Sequence, residues 1–433
     1  MLRTIDLRGR ALTPTELLAA VPRATAARDE ALTTAARIVH DVAASGEESL
    51  REQAEQFDGV ADHDIRVPEA HLDEALTGLD ADVRRALEEA IRRVRLASAA
   101  QVPPPIVTDL GPGARVEQRW VPVRRVGVYV PGGKAVYPSS VVMNVVPAQV
   151  AGVTQVALAS PPQRDHGGRV HPVILAAARL LGVTEVYAMG GAGAIGAYAY
   201  GVPSLGLAPV DVISGPGNNF VALAKRVVAG MVGTDSEAGA TEILIVADDS
   251  ADPALVSADL ISQAEHDEQA AAVLVTTSAR LAEAVQADVA VRAGATLHAA
   301  RIAQALTGPQ SAIVLVDDLA AATAFSNAYA PEHLELHLAD PRVTDFVNAG
   351  AIFVGDHSPV SLGDYLAGSN HVLPTGGQAR YAAGLSASTF LRPQQVIAYD
   401  RAALESVRDD IVALATAEVL PAHGEAVTAR FDA

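Results

Sequence analysis

Apolar positions recur with a helical period through the first hundred residues, then give way to short apolar runs alternating with helical stretches. Residues 1–29 read as an arm, an extended piece followed by a small helix from Thr13 through Glu16, Leu17 and Leu18. Helices are predicted from Asp29 to Ser45, where Gly46 interrupts, from Glu47 to Phe57, from Pro68 onward, and from Asp80 to Ala100 as a long amphipathic one. Pro103-Pro104-Pro105 and Gly111-Pro112-Gly113 mark a boundary. Beyond it, strands are predicted at Arg125–Val130, Gln155–Ala159, Glu185–Met189 and Asp211–Ser214, with helices at Ser139–Gly152, Pro172–Leu181 and Ala194–Tyr200. A second series of strands runs through Ile243–Ala247, Ala272–Thr276, Ala312–Val316 and Ala351–Val354. This rhythm predicts an α/β fold of two Rossmann-like lobes with parallel sheets, preceded by a helical segment. Gly355–Gly377 reads as a long functional loop carrying His357, Asp364 and His371. A helix from Arg401 is expected to end at Leu420 before Pro421, leaving His423 in a short tail; with so little chain to pack against, that small C-terminal segment points to docking on another subunit.

Composition narrows the function classes. The chain has 433 residues, half of them hydrophobic, enough for a substantial core and more than one lobe. Its 32 basic and 51 acidic residues give a net charge of −19, which argues against nucleic acid or an anionic membrane as main partner. No apolar run reaches the roughly 18 residues of a membrane span, and the amino terminus lacks a signal-peptide core, so a cytoplasmic protein is expected. The absence of cysteine removes disulfides, thiolate zinc sites and thioester mechanisms. Any metal must be held by His, carboxylate or amide oxygen, and any aldehyde oxidation must pass through a hydrate.

Three places could carry chemistry. In the helix opened by Asp252 and Pro253, Gln263 and His266 lie one turn apart, in or beside the apolar arc of Leu255, Val256 and Leu260. A metal ion would satisfy them; so would a hydrogen-bonded core amide with a partly exposed imidazole. Gly191, Gly193 and Gly196 form a GxGxxG between a strand and a helix, the context for a dinucleotide pyrophosphate, though the same glycines serve tight helix packing. Asp211 stands at the start of its strand rather than at its end and so does not complete the ribose-binding part of that pattern. Two more turns, Tyr129-Val130-Pro131-Gly132-Gly133-Lys134 and Gly215-Pro216-Gly217-Asn218, favour an anionic cofactor at the same sheet edge. Adjacent Glu332 and His333 suit acid–base work, but neighbours in an extended segment face opposite ways, which by itself describes a surface pair.

The runs Val126-Gly127-Val128-Tyr129-Val130-Pro131-Gly132-Gly133, Tyr137-Pro138-Ser139-Ser140-Val141-Val142-Met143-Asn144, Gly215-Pro216-Gly217-Asn218, Ser262-Gln263-Ala264-Glu265-His266, Ala330-Pro331-Glu332-His333-Leu334 and Ser369-Asn370-His371-Val372-Leu373-Pro374-Thr375 closely resemble those of histidinol dehydrogenases, in order along the chain. The resemblance implies a zinc-containing, NAD-dependent homodimeric enzyme that oxidises L-histidinol to L-histidine through L-histidinal. It places metal ligands at Gln263, His266, Asp364 and the partner-donated His423, and the acid–base pair at Glu332 and His333. Substrate contacts fall on Thr241, His371 and, across the dimer, Glu418, and cofactor contacts on Tyr129, Gly193 and Asn218. Gly193 stands where the family usually has Gln, and Ala240-Thr241 where it has Pro-Ser. The implied division is an arm (1–29), a metal and acid–base lobe (30–110 and 242–378), an NAD lobe (111–241) and a dimerisation segment (379–433) that completes the partner's site. A dehydrogenase of another small alcohol, such as a sulfonated diol, and a non-catalytic NAD- or metal-sensing protein are the competing readings.

Overall fold

Local sequence accounts for the amino-terminal helices. The computed structural model describes residues 2–23, 28–132, 135–236 and 239–432. The arm forms strand β1 (Arg3–Asp6) and helix α1 (Pro14–Ala20), which starts on a Thr13–Glu16 capping box. Helices α2 (Arg28–Ser45), α3 (Glu47–Gln53), α4 (Glu69–Thr77) and α5 (Ala81–Ala99) follow, with a π turn over Ala54–Asp58 after α3. Asp80 caps α5 through the Asp82 and Val83 amides, and its buried stripe is Leu87, Ala90, Val94 and Ser98. Strands β2 (Ile106–Gly111) and β3 (Ala114–Pro122) belong to a separate unit described below.

The first lobe alternates β4 (Arg125–Tyr129), α6 (Pro138–Ala151), β5 (Gln155–Ser160), α7 (Pro172–Leu180), β6 (Glu185–Ala188), α8 (Gly191–Tyr200), β7 (Val212–Ser214), α9 (Asn219–Val228) and β8 (Gly233–Thr234). Its five strands are parallel in the order β6-β5-β4-β7-β8. The second lobe runs β9 (Glu242–Ala247), α10 (Pro253–Ala264), β10 (Ala271–Thr276), α11 (Ala279–Arg292), α12 (Ala299–Thr307), β11 (Ala312–Leu315), α13 (Leu319–Tyr329), β12 (His333–His337), β13 (Ala351–Val354) and α14 (Val360–Tyr365). Its six parallel strands are ordered β1-β11-β10-β9-β12-β13. Counted within each lobe, both sheets follow the doubly wound pattern in which the first strand sits centrally and the chain winds outward on both sides. Strands β9 to β12 are buried at every position, as a sheet covered by helices on both faces requires.

Two sequence expectations change here. The extended arm is a sheet strand, β1, paired with β11. Helix α2, grouped by sequence with the metal lobe, instead buries Ala35, Ile38, Val39 and Val42 in the core formed by Tyr198, Val221 and Leu223 of the five-stranded lobe. A periodic apolar stripe says that a helix packs, not which sheet it packs on.

Residues 102–123 and 391–433 form a compact unit of their own. There β14 (Leu391–Tyr399), β3 and β2 make an antiparallel sheet, and helices α15 (Arg401–Ala417) and α16 (Pro421–Thr428) follow. The sequence boundary at Pro103 and Gly111 therefore conceals a hairpin. Pro421 starts a helix at its first position instead of ending the fold, so His423 lies on α16 and not in a loose tail. Among the described residues no helix is long and apolar enough to cross a membrane.

Candidate active site

Helix α13 ends on Ala330, whose φ of 49° is left-handed and turns Pro331 and Glu332 in toward the sheet before β12 begins. The turn overrides the surface-pair reading: Glu332 and His333 are 6% and 5% exposed. Neighbouring β9 starts beside them. The Glu242 amide donates to Glu332 Oε2 at 2.9 Å, and the Glu242 carbonyl accepts from His333 Nδ1 at 3.0 Å. One residue of β9 thus positions both side chains. Its own carboxylate is pinned by Arg23, at 2.5 Å from Nε, and by the Gly376 amide.

A chain of donors fixes the amide on α10. Thr241 Oγ1 donates to Glu332 Oε2 at 2.6 Å, so its oxygen is left to accept, and Gln263 Nε2 donates to it at 2.7 Å. Gln263 Oε1 is then turned away from Thr241, buried and, among the described residues, without a donor, on a residue 1% exposed. A strong acceptor in that condition costs about 1 to 3 kcal/mol unless something electropositive meets it. His266, which the sequence placed within this helix, lies two residues past its end at Ala264 and has Nδ1 against the Ser262 and Gln263 carbonyls at 3.2 and 3.3 Å. With the proton on Nδ1, the Nε2 lone pair is the free one, the arrangement metal-bound histidines use.

The predicted loop at 355–377 is partly helical, and α14 carries Asp364. The Asp364 carbonyl accepts from His371 Nδ1 at 3.0 Å, and His371 Nε2 meets Ser140 Oγ of α6 at 3.1 Å. Burial lowers the His371 pKa, Asp364 opposes this, and the nearby His333 and His266 push it further down, which keeps the ring neutral. His266, His333, Asp364 and His371 are therefore electrostatic neighbours. Burial is also the main influence on Glu332, raising its pKa against the lowering effect of His333, Thr241 and the Glu242 amide. Its carboxyl is a stronger base than an exposed one.

Cofactor candidates line the carboxyl edge of the five-stranded sheet. Tyr129, ending β4, accepts the Gly191 N–H through its hydroxyl at 3.1 Å, and burial pushes its pKa up to about 12. Asn218 caps α9 through the Phe220 and Val221 amides. At Gly193 a Cβ would collide with the Gln53 amide, and at Gly196 it would stand 3.2 Å from the Val39 backbone, so these two glycines serve the packing of α8 against α2 and α3. Asp211 holds the Arg124 and Arg125 amides at 2.9 Å, so its carboxylate serves the backbone. Gly133 and Lys134 of the Tyr129–Lys134 turn lie outside the described residues.

His423 and Glu418 are exposed residues of the smaller unit, on α16 and at the end of α15. Among the described residues, the group of three or more His, Asp and Glu side chains that meets metal-ligand spacing is a different one, Asp259, Glu335 and His337. Sequence reading gave no role to Ser140, Glu242 or Arg23. Ser140 stood inside a recognised run, whereas the other two become visible only when β9 and β12 pair.

The family model described as histidinol dehydrogenase matches residues 21–431. The chain is 64% identical over 433 residues to the histidinol dehydrogenase of Leifsonia xyli subsp. xyli, covering 100% of this chain and 99% of that protein. It is 58% identical over 428 residues to that of Thermobifida fusca, with 98% and 97% covered. The crystal structure of histidinol dehydrogenase from Elizabethkingia anophelis superposes with a TM-score of 0.92 at 30% identity, covering 99% of this chain and 98% of that one.

Proposed function

The chain belongs to the histidinol dehydrogenase family, an oxidoreductase family of histidine biosynthesis, and from that premise we propose that it oxidises L-histidinol to L-histidine through L-histidinal, with NAD+ as acceptor and one Zn2+ per site. The observation that carries the reading is the hydrogen-bonded chain from Gln263 through Thr241 to Glu332, beside His333, which leaves Gln263 Oε1 as an unmet buried acceptor. Gln263, His266 and Asp364, with His423 from a partner subunit, would hold the metal; two imidazoles and two oxygens suit Zn2+ without thiolate. When bound, that ion supplies orientation and charge stabilisation for the amino alcohol.

The side chains do the proton work. His333, oriented by the Glu242 carbonyl, takes the hydroxyl proton as hydride passes from the carbinol carbon to the first NAD+. Glu332, made more basic by burial, removes a proton from water as it adds to the retained aldehyde, and protonated His333 returns its proton to the aldehyde oxygen, which completes the gem-diol and frees the imidazole for the second oxidation. The resulting gem-diol gives a second hydride to a second NAD+, with its proton again taken by His333. Hydration replaces the thiohemiacetal that a chain without cysteine cannot form. Thr241, neutral His371 and the partner's Glu418 contact the substrate, the last carboxylate matching its positive charge. Tyr129, Gly193 and Asn218 mark the dinucleotide side.

In this assignment the five-stranded lobe takes the dinucleotide and the six-stranded lobe takes the metal and the acid–base pair, in a homodimer that shares its sites. The test is NADH formation from histidinol by purified enzyme, before and after chelation. Two NADH per histidine, abolished by chelator and restored by Zn2+, is the expected result. Oxidation of a sulfonated diol with no histidinol turnover would move the assignment to another alcohol, and zinc or NAD binding without turnover would remove the enzymatic reading.

A further inference from the structure

Helix α10 and strand β12 build more than the reaction centre. Alternation along β12 puts His333, Glu335 and His337 on one sheet face. Asp259 lies one helical turn before Gln263 on α10, on the same helix face. The helix–strand pair that brings Gln263 near Glu332 and His333 therefore brings Asp259 to Glu335 and His337 further along the strand.

There the ligand atoms of the three side chains all lie within 4.8 Å of one another. Glu335 Oε2 stands 3.4 Å and Asp259 Oδ2 3.9 Å from His337 Nε2. Metal bonds of about 2.0 to 2.1 Å in a tetrahedral arrangement place neighbouring donor atoms about 3.4 Å apart. The first separation matches this, and the second closes to it with a small movement of the Asp259 side chain.

Charge balance asks for an occupant. Glu335 is 1% and His337 5% exposed. Glu335 Oε1 accepts the Val360 N–H at 2.8 Å, whereas Oε2, turned into the cluster, faces the His337 imidazole at 3.4 Å, and the Glu335 carboxyl also meets that of Asp259. His337 Nδ1 faces Asp356 at 3.4 Å, and a proton held there leaves the Nε2 lone pair pointing at two carboxylates. Among the described residues no Lys or Arg pairs with Asp259 or Glu335. Against burial, which lowers it, Glu335, Asp356 and Asp259 raise the His337 pKa, so without an ion the three groups are held together by shared protons, and a cation placed among them would displace those protons. The strain shows in Asp259, whose pKa burial and the Glu335 charge raise to about 7. The place also suits a ligand: β9 and β12 are where the winding of this sheet reverses, and His337 ends β12 at the carboxyl edge, where open α/β sheets take ligands.

We propose that Asp259, Glu335 and His337 form a second cation site, distinct from the one at Gln263 and His266, that binds a divalent transition-metal ion of the Zn2+ or Mn2+ class and ties α10 to β12. Asp356 steadies the imidazole from outside. The ion positions α10, which carries Gln263 and leads directly into His266, and takes no part in the oxidation.

Native mass spectrometry of full-length protein equilibrated with Zn2+ counts ions per folded protomer. The wild type is expected to hold two, His337→Gln one and His266→Gln one, and the thermal shift caused by Zn2+ is expected to persist in His266→Gln. Should His337→Gln fail to fold, Asp356→Asn alters an exposed residue and is expected to weaken the second equivalent about 10-fold or more while sparing the first. An unchanged ion count and affinity in His337→Gln or Asp356→Asn overturns the proposal and leaves shared protons as the neutralising charge. Failure of the Gln263–His266 site reads differently: His266→Gln would then keep every ion of the wild type.

Discussion

Glu332 shows what a single residue owes to its surroundings. In a surface strand its carboxyl would be an ordinary acid; burial makes it hold its proton more tightly, although Thr241 and His333 pull the other way. In metal-free protein the native state then binds more protons than the unfolded chain from pH 4.5 upward, so this group's contribution to stability falls as pH rises through that window. Thermal melts of the apo-protein are expected to show this decline, and Glu332→Gln to flatten it. In the holoenzyme the same substitution is expected to lower histidine formation by about 10²- to 10⁴-fold. The loss should be larger with histidinal supplied directly than in the first oxidation of histidinol, because water activation belongs to the second step; equal losses would assign Glu332 to both steps. Gln263 was legible from its place on an apolar helix face, but the direction of its amide was not. That depends on Thr241, which reaches it from the residue just before β9.

Among the elements, the turn Gly215–Asn218 is held by a buried ion pair that no local pattern announces. Lys225 Nζ, from α9, donates to the Gly215 carbonyl at 2.6 Å and to Asp235 at 2.5 Å, while the Gly215 amide donates to the other Asp235 oxygen. Lys225 and Asp235 are 2% and 3% exposed at their side chains. Asp235→Ala leaves the ammonium buried without a counter-charge and is expected to cost about 3 to 5 kcal/mol in urea unfolding. Any folded fraction should show a raised KM for NAD+, since the turn lies on the proposed dinucleotide side. Strands and helices of the two lobes were largely legible because buried runs and caps are local signals, as at Asp252 and Pro253 of α10. The β2–β3 hairpin and α16 were missed. All six positions of β2 are exposed, so β2 lacks the apolar alternation that marks a strand, and Pro421 is compatible with either a stop or a start.

At the scale of the whole molecule, the proposed completion of each site by a second subunit makes a prediction that one chain alone could not satisfy. Glu332→Gln and His423→Ala proteins are each expected to be inactive. Unfolded together and refolded as a mixture, they should recover about a quarter of wild-type activity, because half the dimers are mixed and each mixed dimer has one intact site. No recovery, with mixed dimers demonstrated, would put His423 and Glu332 of one site on the same chain. The chemistry also has an unusual place in its sheet. Thr241, Glu332 and His333 stand at the amino ends of β9 and β12, whereas open α/β sheets bind ligands at carboxyl ends. The Tyr129, Gly191 and Gly215 edge of the other sheet follows the rule.

What the sequence determined by itself was the succession of helices and buried strands, the absence of thiol chemistry, and, through resemblance, the family. These rest on short-range periodicity, on composition and on runs of neighbouring residues. Tertiary structure alone decided that Glu332 is buried, that Gln263 Oε1 lacks a donor, that α2 belongs to the five-stranded lobe, and that Asp259 meets Glu335 and His337. Each depends on which surfaces pack together across long stretches of chain, and burial and hydrogen-bond partnership exist only once that packing has formed.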